Sequence, residues 1–299
     1  MDAIVNINKE VNMTSRDVVN IVSGMLKVKA GHTGTLDPMA TGVLPVCLGK
    51  ATKIAEYITQ GTKIYGAEVI FGSATDTFDA WGKVTGEAPF LVDILKLKEI
   101  IGSFVGNITQ IPPIYSAKKI NGKRLHKLAR EGKVVDIPGR EVSIYSIDIV
   151  DINLPYNANI IVKCSKGTYI RSLCSDIGKK AGSFAHMGKL NRAKSGIFTI
   201  KDSITLEELR QCIDNGSLQK VLTTIEQALF EYKRVRVHKD AEKLLKNGNK
   251  LALHMLENFD NLDEQEDVLV YTADNILCGI YSFVNFDTEA CLKPKKMLL

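Results

Sequence analysis

Hydrophobic positions recur along this chain with two different periods, and the switches between them divide it into elements. Ala3 to Asn8 alternates with period two and reads as a short strand. Thr14 or Ser15 can then cap a helix whose apolar positions Val18, Val19, Ile21, Val22 and Leu26 follow helical spacing. Val43 to Leu48 is a nearly continuous apolar run, expected as a strand or another buried segment. Lys63 to Gly72 alternates, with Tyr65, Ala67, Val69 and Phe71 on one face and Ile64 and Ile70 on the other; apolar residues on both faces predict a central strand. A helix is expected over Leu91 to Phe104. Strands are expected over Val142 to Ile152 and Asn159 to Cys164, separated by a turn at Pro155 to Asn157, and then a helix from about Thr168 that buries Ile170, Leu173, Cys174 and Ile177. Thr205, Glu208 and Gly216 delimit a short capped helix. Strands and helices follow one another without regular alternation, so an α+β fold with a mixed, mainly antiparallel sheet is expected.

Near Thr223 to Lys233 the pattern changes. Arg234 to His238, Lys250 to Leu256, Val268 to Thr272 and Ile276 to Phe283 read as short strands around one helix at Asp240 to Asn247, a small β-rich unit following a larger one. A length of 299 residues fits two unequal domains, expected over 1–222 and 233–299.

Composition narrows the class without naming it. Hydrophobic residues make up 45% and charged ones 24%, an ordinary globular balance. No apolar stretch approaches the length of a membrane span, and Met1 to Glu10 lacks the basic and apolar regions of a signal peptide, so no membrane association is expected. Six scattered cysteines with no CxxC pair point to reduced thiols and a cytoplasmic protein. Five histidines without metal-ligand spacing predict no metal. The net charge of +5 is modest, but Lys118, Lys119, Lys123, Arg124, Lys127, Arg130 and Lys133 face only one acid, Glu131, within one short segment. That density suits a phosphate backbone; Leu125, Leu128 and Ala129 at helical spacing also fit a solvated amphipathic helix.

The candidate chemistry lies in Gly31 to Tyr57, GHTGTLDPMATGVLPVCLGKATKIAEY, which holds one carboxylate, Asp37, in a Gly- and Pro-punctuated loop. Gly31, Gly34 and Gly42 are expected to supply backbone conformations that a side chain forbids, and Pro38 biases Asp37 away from helix. An isolated Asp-Pro is ordinarily a surface turn. Here His32, Thr33, Thr35 and the apolar run that follows set it apart. Gly49-Lys50 is no phosphate loop, because Ala51 stands where Ser or Thr must be and Leu44 where the first glycine belongs.

That string, together with ATDTFDAWG from Ala74, QIPPIYSAKKINGKRLHKLAREG from Gln110, CSKGTYIRSLCSD from Cys164 and HMGKLNRAKSG from His186, resembles the TruB-type pseudouridine synthases in motif order and spacing. The resemblance implies a pseudouridine synthase fold with an RNA-binding thumb inserted at about 110–140, and a PUA-like RNA-binding domain at the C-terminus. It implies that the chain isomerises uridine to pseudouridine in the T loop of tRNA, at position 55, on a flipped base. It further implies a monomer working on the T arm with no cofactor, metal or guide RNA. By the same resemblance Asp37 is the catalytic carboxylate, Arg171 its cation and Tyr65 the aromatic against the uracil. His32 fills the place the base vacates, Tyr169 and Leu190 line the pocket, Tyr115 belongs to the thumb's base, and Lys118, Lys119, Lys123, Arg124, Lys127 and Arg130 contact the RNA backbone. The chain departs from the family after Lys9, where Glu10 and Asn12 replace the usual Pro and Gly. Competing readings are an RNA-binding or tRNA-folding helper and a guide-dependent, Cbf5-like subunit.

Overall fold

In the computed structural model, residues 1–115, 119–120, 123–124, 137–257, 262–286 and 289–299 are described, with 119, 120, 123, 124, 286 and 289 described in backbone only. Thr14 caps α1 (Ser15–Leu26) through a reciprocal box: its hydroxyl accepts from the Asp17 amide, and the Asp17 carboxylate accepts from the Thr14 amide. Val18, Val19 and Val22 are buried, each contributing roughly 1.5–3 kcal/mol of apolar burial. Ile21, another of the apolar positions at helical spacing, lies off that stripe and is exposed.

The central sheet runs in the order β14 (Leu222–Thr224), β1 (Ala3–Lys9), β3 (Thr41–Leu48), β12 (Ala185–Ser195), β4 (Lys63–Phe71), β11 (Asn157–Cys164), β10 (Arg140–Asn153), β7 (Gly106–Gln110). Two short strands, β2 (Ala30–His32) and β13 (Phe198–Thr199), add to β3 and β12. All pairings are antiparallel except β3 with β12. β4 sits between β12 and β11 with one face fully buried, as a central strand should. A hairpin of β5 (Ser73–Thr75) and β6 (Val84–Glu87) stands apart from the sheet. In the basic segment, β8 (Lys119–Ile120) pairs with β9 (Lys123–Arg124).

Helices α1, α3 (Ile94–Gly102), α4 (Ile170–Lys180) and α5 (Leu206–Asp214) share one core with the sheet; α2 (Ala55–Thr59) lies on the second core described below. Asp93 caps α3, so that helix begins later than the apolar pattern predicted, and Leu91 is left exposed. Gly178 lets α4 approach β12: a Cβ there would overlap the backbone of Phe184 and Ala185.

The two faces of β3 serve different cores. Leu44, Val46 and Leu48 pack with the helices, while Val43 and Cys47 join Ile4, Tyr57, Leu269, Tyr271, Ile280 and Leu298 in a second core. That second core welds the PUA-like C-terminal unit to the sheet through α6 (Ile225–Ala228). The Tyr57 hydroxyl donates to Asp267 at 3.1 Å, and Lys296 pairs with Glu56 at 2.7 Å. The C-terminal sheet runs β15 (Arg234–Arg236), β17 (Asp267–Tyr271), β18 (Leu277–Phe286), β19 (Glu289–Met297), β16 (Leu251–Ala252), with α7 (Glu242–Lys246) and a third core of its own. The strand expected over 250–256 is therefore only two residues, followed by a 3-10 turn at Leu253–Met255. No helix among the described residues is long and apolar enough to cross a membrane.

Candidate active site

The loop between β2 and β3 is fixed from below. Ser15, the first residue of α1, exchanges hydrogen bonds with the Leu36 backbone: its hydroxyl donates to the carbonyl at 2.9 Å and accepts from the amide at 2.8 Å. The buried Lys9 ammonium donates to the carbonyls of Glu10, Met13 and Pro38 at 2.8, 2.7 and 3.3 Å, which ties the end of β1 to the residue after Asp37. Asn12, which stands where the family usually has glycine, adopts a left-handed φ of 65° and donates its amide to the Pro38 carbonyl. Asparagine is among the residues that tolerate this conformation, so the departure leaves the loop anchored.

Gly42 has φ +101° and lies against β12 so closely that a Cβ would strike the Arg192 backbone, so glycine is required there. Gly31 carries no such requirement: it lies in β2 with an ordinary φ, and the nearest atom to an added Cβ is Thr52 Cγ2 at 3.8 Å. The expectation that glycine is obligatory at 31 is corrected accordingly.

Arg171, at the start of α4, joins three separated segments. Its Nε lies 3.0 Å from Asp37 Oδ2 and its Nη2 donates to Oδ1 at 3.3 Å. Nη1 meets Asp79 Oδ2 at 3.3 Å and the Thr77 carbonyl at 3.1 Å, and Nη2 also reaches the Tyr115 carbonyl at 3.0 Å. The planar guanidinium suits such forked contacts. Arg171 and Asp79 are nearly buried, with 6% and 8% of their side chains exposed, whereas a third of Asp37 remains accessible.

A cavity of about 280 Å³ opens on Asp37, with Arg171, Tyr65, Tyr169, Leu190, Lys63 and Arg192 among its walls. Sheet register assembles three of these walls. Leu190 pairs with Ala67, while Arg192 pairs with Tyr65 on one side and Gly42 on the other. Arg192 is fully buried, donating to the carbonyls of Val43 at 2.8 Å and Gly34 at 3.0 Å. Tyr169 is held by Gln110, whose side-chain amide accepts from its amide at 2.9 Å and donates to its carbonyl at 3.2 Å. Lys63 donates to the carbonyls of Thr59 and Gly61.

Burial pushes the Asp37 carboxyl upward from its ordinary pKa; Arg171 opposes the push, Asp79 adds to it, and Lys9 opposes it. Burial also lowers Lys9 and Lys63 to about 8 each. The phenol of Tyr65 is pushed upward by burial, so it presents a neutral ring to the cavity. His32 is lowered by burial, then by Arg16 and Arg192; its Nδ1 accepts from the Gly34 amide, leaving a neutral imidazole.

Of the residues expected at the site, Asp37, Arg171, Tyr65, Tyr169 and Leu190 share this cavity. His32 sits half-buried in the same loop but outside the cavity wall. Lys118, Lys127 and Arg130 lie outside the described residues, and Lys119, Lys123 and Arg124 are placed by backbone alone, in the β8–β9 hairpin. Asp79, Lys9, Gln110, Lys63 and Arg192 were not singled out as site residues from the sequence. Asp79 lay within a motif already noted, and an acid flanked by Thr77 and Gly82 in a turn was the available signal. Among the described residues no cluster of three or more His, Cys, Asp or Glu could hold a metal ion.

Residues 23–170 match the model of the TruB family pseudouridylate synthase N-terminal domain, and residues 171–230 match the tRNA pseudouridylate synthase B C-terminal domain. This chain belongs to the TruB family of pseudouridine synthases. It is similar to proteins named tRNA pseudouridine synthase B from Clostridium tetani, 44% identical over 93% of this chain and 94% of the relative, and Clostridium novyi, 41% identical with both chains fully covered. A counterpart from Clostridium kluyveri is 49% identical over 83% of this chain and 84% of its own. Among solved structures, the crystal structure of a Cbf5-Nop10-Gar1 complex contains a chain that matches with a TM-score of 0.77 at 25% identity, over 99% of this chain and 85% of the other. The match extends through the C-terminal PUA-like unit, beyond the reach of the two family models. As a TruB-family pseudouridine synthase the protein is an isomerase.

Proposed function

We propose that this enzyme converts a T-loop uridine of tRNA, at position 55, to pseudouridine, with Asp37 as its single acting carboxylate and without a guide RNA. The observation that carries the proposal is the paired carboxylate at the mouth of one small cavity: Asp37, fixed by Arg171 at 3.0 Å and faced by Tyr65 and Leu190. The reaction breaks the bond from ribose C1′ to uracil N1 and makes one from C1′ to C5; the C5 hydrogen is lost as a proton and N1 gains one. No electrons, water or donor group enter. Glycosidases place two carboxylates about a sugar so that one can activate water. In this chain the second acid, Asp79, is turned away to Arg171 and Thr77, and Asp37 is the one carboxylate among the residues lining the cavity, beside the aromatic and apolar Tyr65, Tyr169 and Leu190 and the basic Lys63, Arg171 and Arg192.

Within this reading Arg171 keeps Asp37 ionised against its burial and aims both oxygens at the ribosyl or base carbon. Tyr65 stacks on the uracil and Leu190 closes the opposite wall. Tyr169 lines the pocket, positioned by Gln110. His32, neutral and near the entrance loop, fills the stack that the flipped base leaves; such flipping costs a few kcal/mol. The basic segment from Lys118 to Arg130 holds the T arm, and the PUA-like unit, proposed as a domain from 233 to 299 after a catalytic domain of 1–222, extends the RNA contact. In the same proposal the enzyme acts as a monomer in the cytoplasm.

The test is incubation of purified protein with an unmodified tRNA transcript, followed by mapping of pseudouridine at single-nucleotide resolution. Product at the T-loop uridine with no added RNA supports the proposal. Modification elsewhere, or only after addition of a second RNA, contradicts it.

A further inference from the structure

The turn joining β5 to β6 carries Asp79 at its inner end and Trp81, the chain's only tryptophan, at its outer end. Trp81 is 56% exposed, although tryptophan is on average highly buried. The turn itself is over-determined. Asp79 Oδ1 accepts from the Thr77 hydroxyl at 2.7 Å and the Trp81 amide at 3.1 Å, and the Asp79 carbonyl accepts from the Thr75 hydroxyl and the Gly82 amide. Phe78 is held at φ 61°, unfavourable for a bulky side chain, while its carbonyl accepts from the Met187 amide. The exposed indole therefore stands on a rigid base that reaches the cavity through two contacts, Trp81 amide to Asp79 and Asp79 to Arg171.

Cations and acids both flank the turn: the Lys179 ammonium lies 5.6 Å from the Phe78 ring centroid and pairs with Asp176, Lys83 is exposed two residues after Trp81, and the Asp76 carboxylate accepts from the Lys83 amide. Aromatic faces interleaved with cations are what single-stranded nucleic acid requires: stacking for the base, positive charge for the phosphates.

We propose that Trp81 is a second nucleotide-binding position, stacking on an unpaired RNA base next to the uridine that enters the cavity, with Lys83 and Lys179 at the adjoining phosphates. This rests on the reading of the cavity as a site for a flipped uridine. It adds a specificity contact outside that cavity, favouring substrates that offer an unpaired neighbour.

Because Trp81 is the only indole, its fluorescence reports the contact directly. Titration of the inactive Asp37→Asn protein with an unmodified tRNA transcript is expected to change the emission saturably, whereas a fully paired RNA duplex of equal length leaves it unchanged. Trp81→Ala in that background weakens binding of the transcript about tenfold or more, and Trp81→Tyr recovers most of the loss. In the active enzyme Trp81→Ala raises KM far more than it lowers kcat, with unchanged thermal unfolding. Constant emission at saturating RNA, an equal response to duplex, or full affinity in Trp81→Ala overturns the inference. Failure of the wild-type enzyme to modify the transcript overturns instead the functional reading on which it rests.

Discussion

Two turns deliver a carboxylate to the same arginine, and their surroundings separate the two acids. The loop after β2 holds Asp37 by its backbone, through Ser15, Lys9 and Asn12, and leaves a third of the side chain open to the cavity. The turn after β5 holds Asp79 by its side chain, with one oxygen accepting from Thr77 and Trp81 and the other from Arg171. A carboxylate whose lone pairs are already engaged has little left for a substrate. In the proposed function the two identical groups take an acting and a supporting part according to the hydrogen bonds around them.

The comparison can be broken most severely at the shared partner. Arg171→Met is expected to reduce turnover by about 10³-fold and to destabilise the fold by roughly 3 kcal/mol, since it leaves Asp79 buried without a cation; activity assays and thermal unfolding read the two effects. Asp79→Asn keeps the shape and hydrogen bonds to Thr77 but removes a charge. A loss of about 10- to 100-fold in kcat is expected, with tRNA affinity retained in a filter-binding assay.

A finer distinction comes from pH. In the proposed function Asp37 acts ionised; burial raises its pKa, so kcat/KM should fall on the acid side with a midpoint above the ordinary aspartate value of about 3.9. Removing the Asp79 charge relieves a push in the same direction, so Asp79→Asn should move that midpoint down, whereas Arg171→Met should move it up. A midpoint that ignores both substitutions would show that the acid limb belongs to another group. The smallest effect on turnover is expected from Gly42→Ala, which strains a left-handed φ and crowds Arg192: a stability loss of about 2 kcal/mol by thermal unfolding, with kcat within a few fold in the folded fraction.

The legibility of this molecule follows where its residues take their partners. α1, β1, β3 and β4 were readable because their apolar periods match local geometry. β12 was not read as a strand, although it lies at the centre of the sheet: Lys189, Asn191, Arg192 and Lys194 break its alternation, and Arg192 is buried only because Val43 and Gly34 offer it carbonyls from a distant part of the chain. β19 was hidden by Pro294 and three lysines, two of which pair with Asp267 and Glu56. The motifs led to Asp37, Tyr169, Arg171 and Leu190, and the family resemblance added Tyr65; the fold gathers all five around one cavity. They did not lead to Asp79, 92 residues from its arginine, nor to Gln110, whose part depends on the backbone of Tyr169. Such partners are set by tertiary geometry, which spacing along one chain does not encode.

The central claim, that Asp37 alone among the two acids performs the chemistry, is tested most directly by single-turnover conversion of bound tRNA with Asp37→Asn beside Asp79→Asn. The account predicts no detectable pseudouridine from Asp37→Asn despite near-normal tRNA binding, and slow but complete conversion by Asp79→Asn. Measurable conversion by Asp37→Asn, or equal abolition by both substitutions, would contradict it.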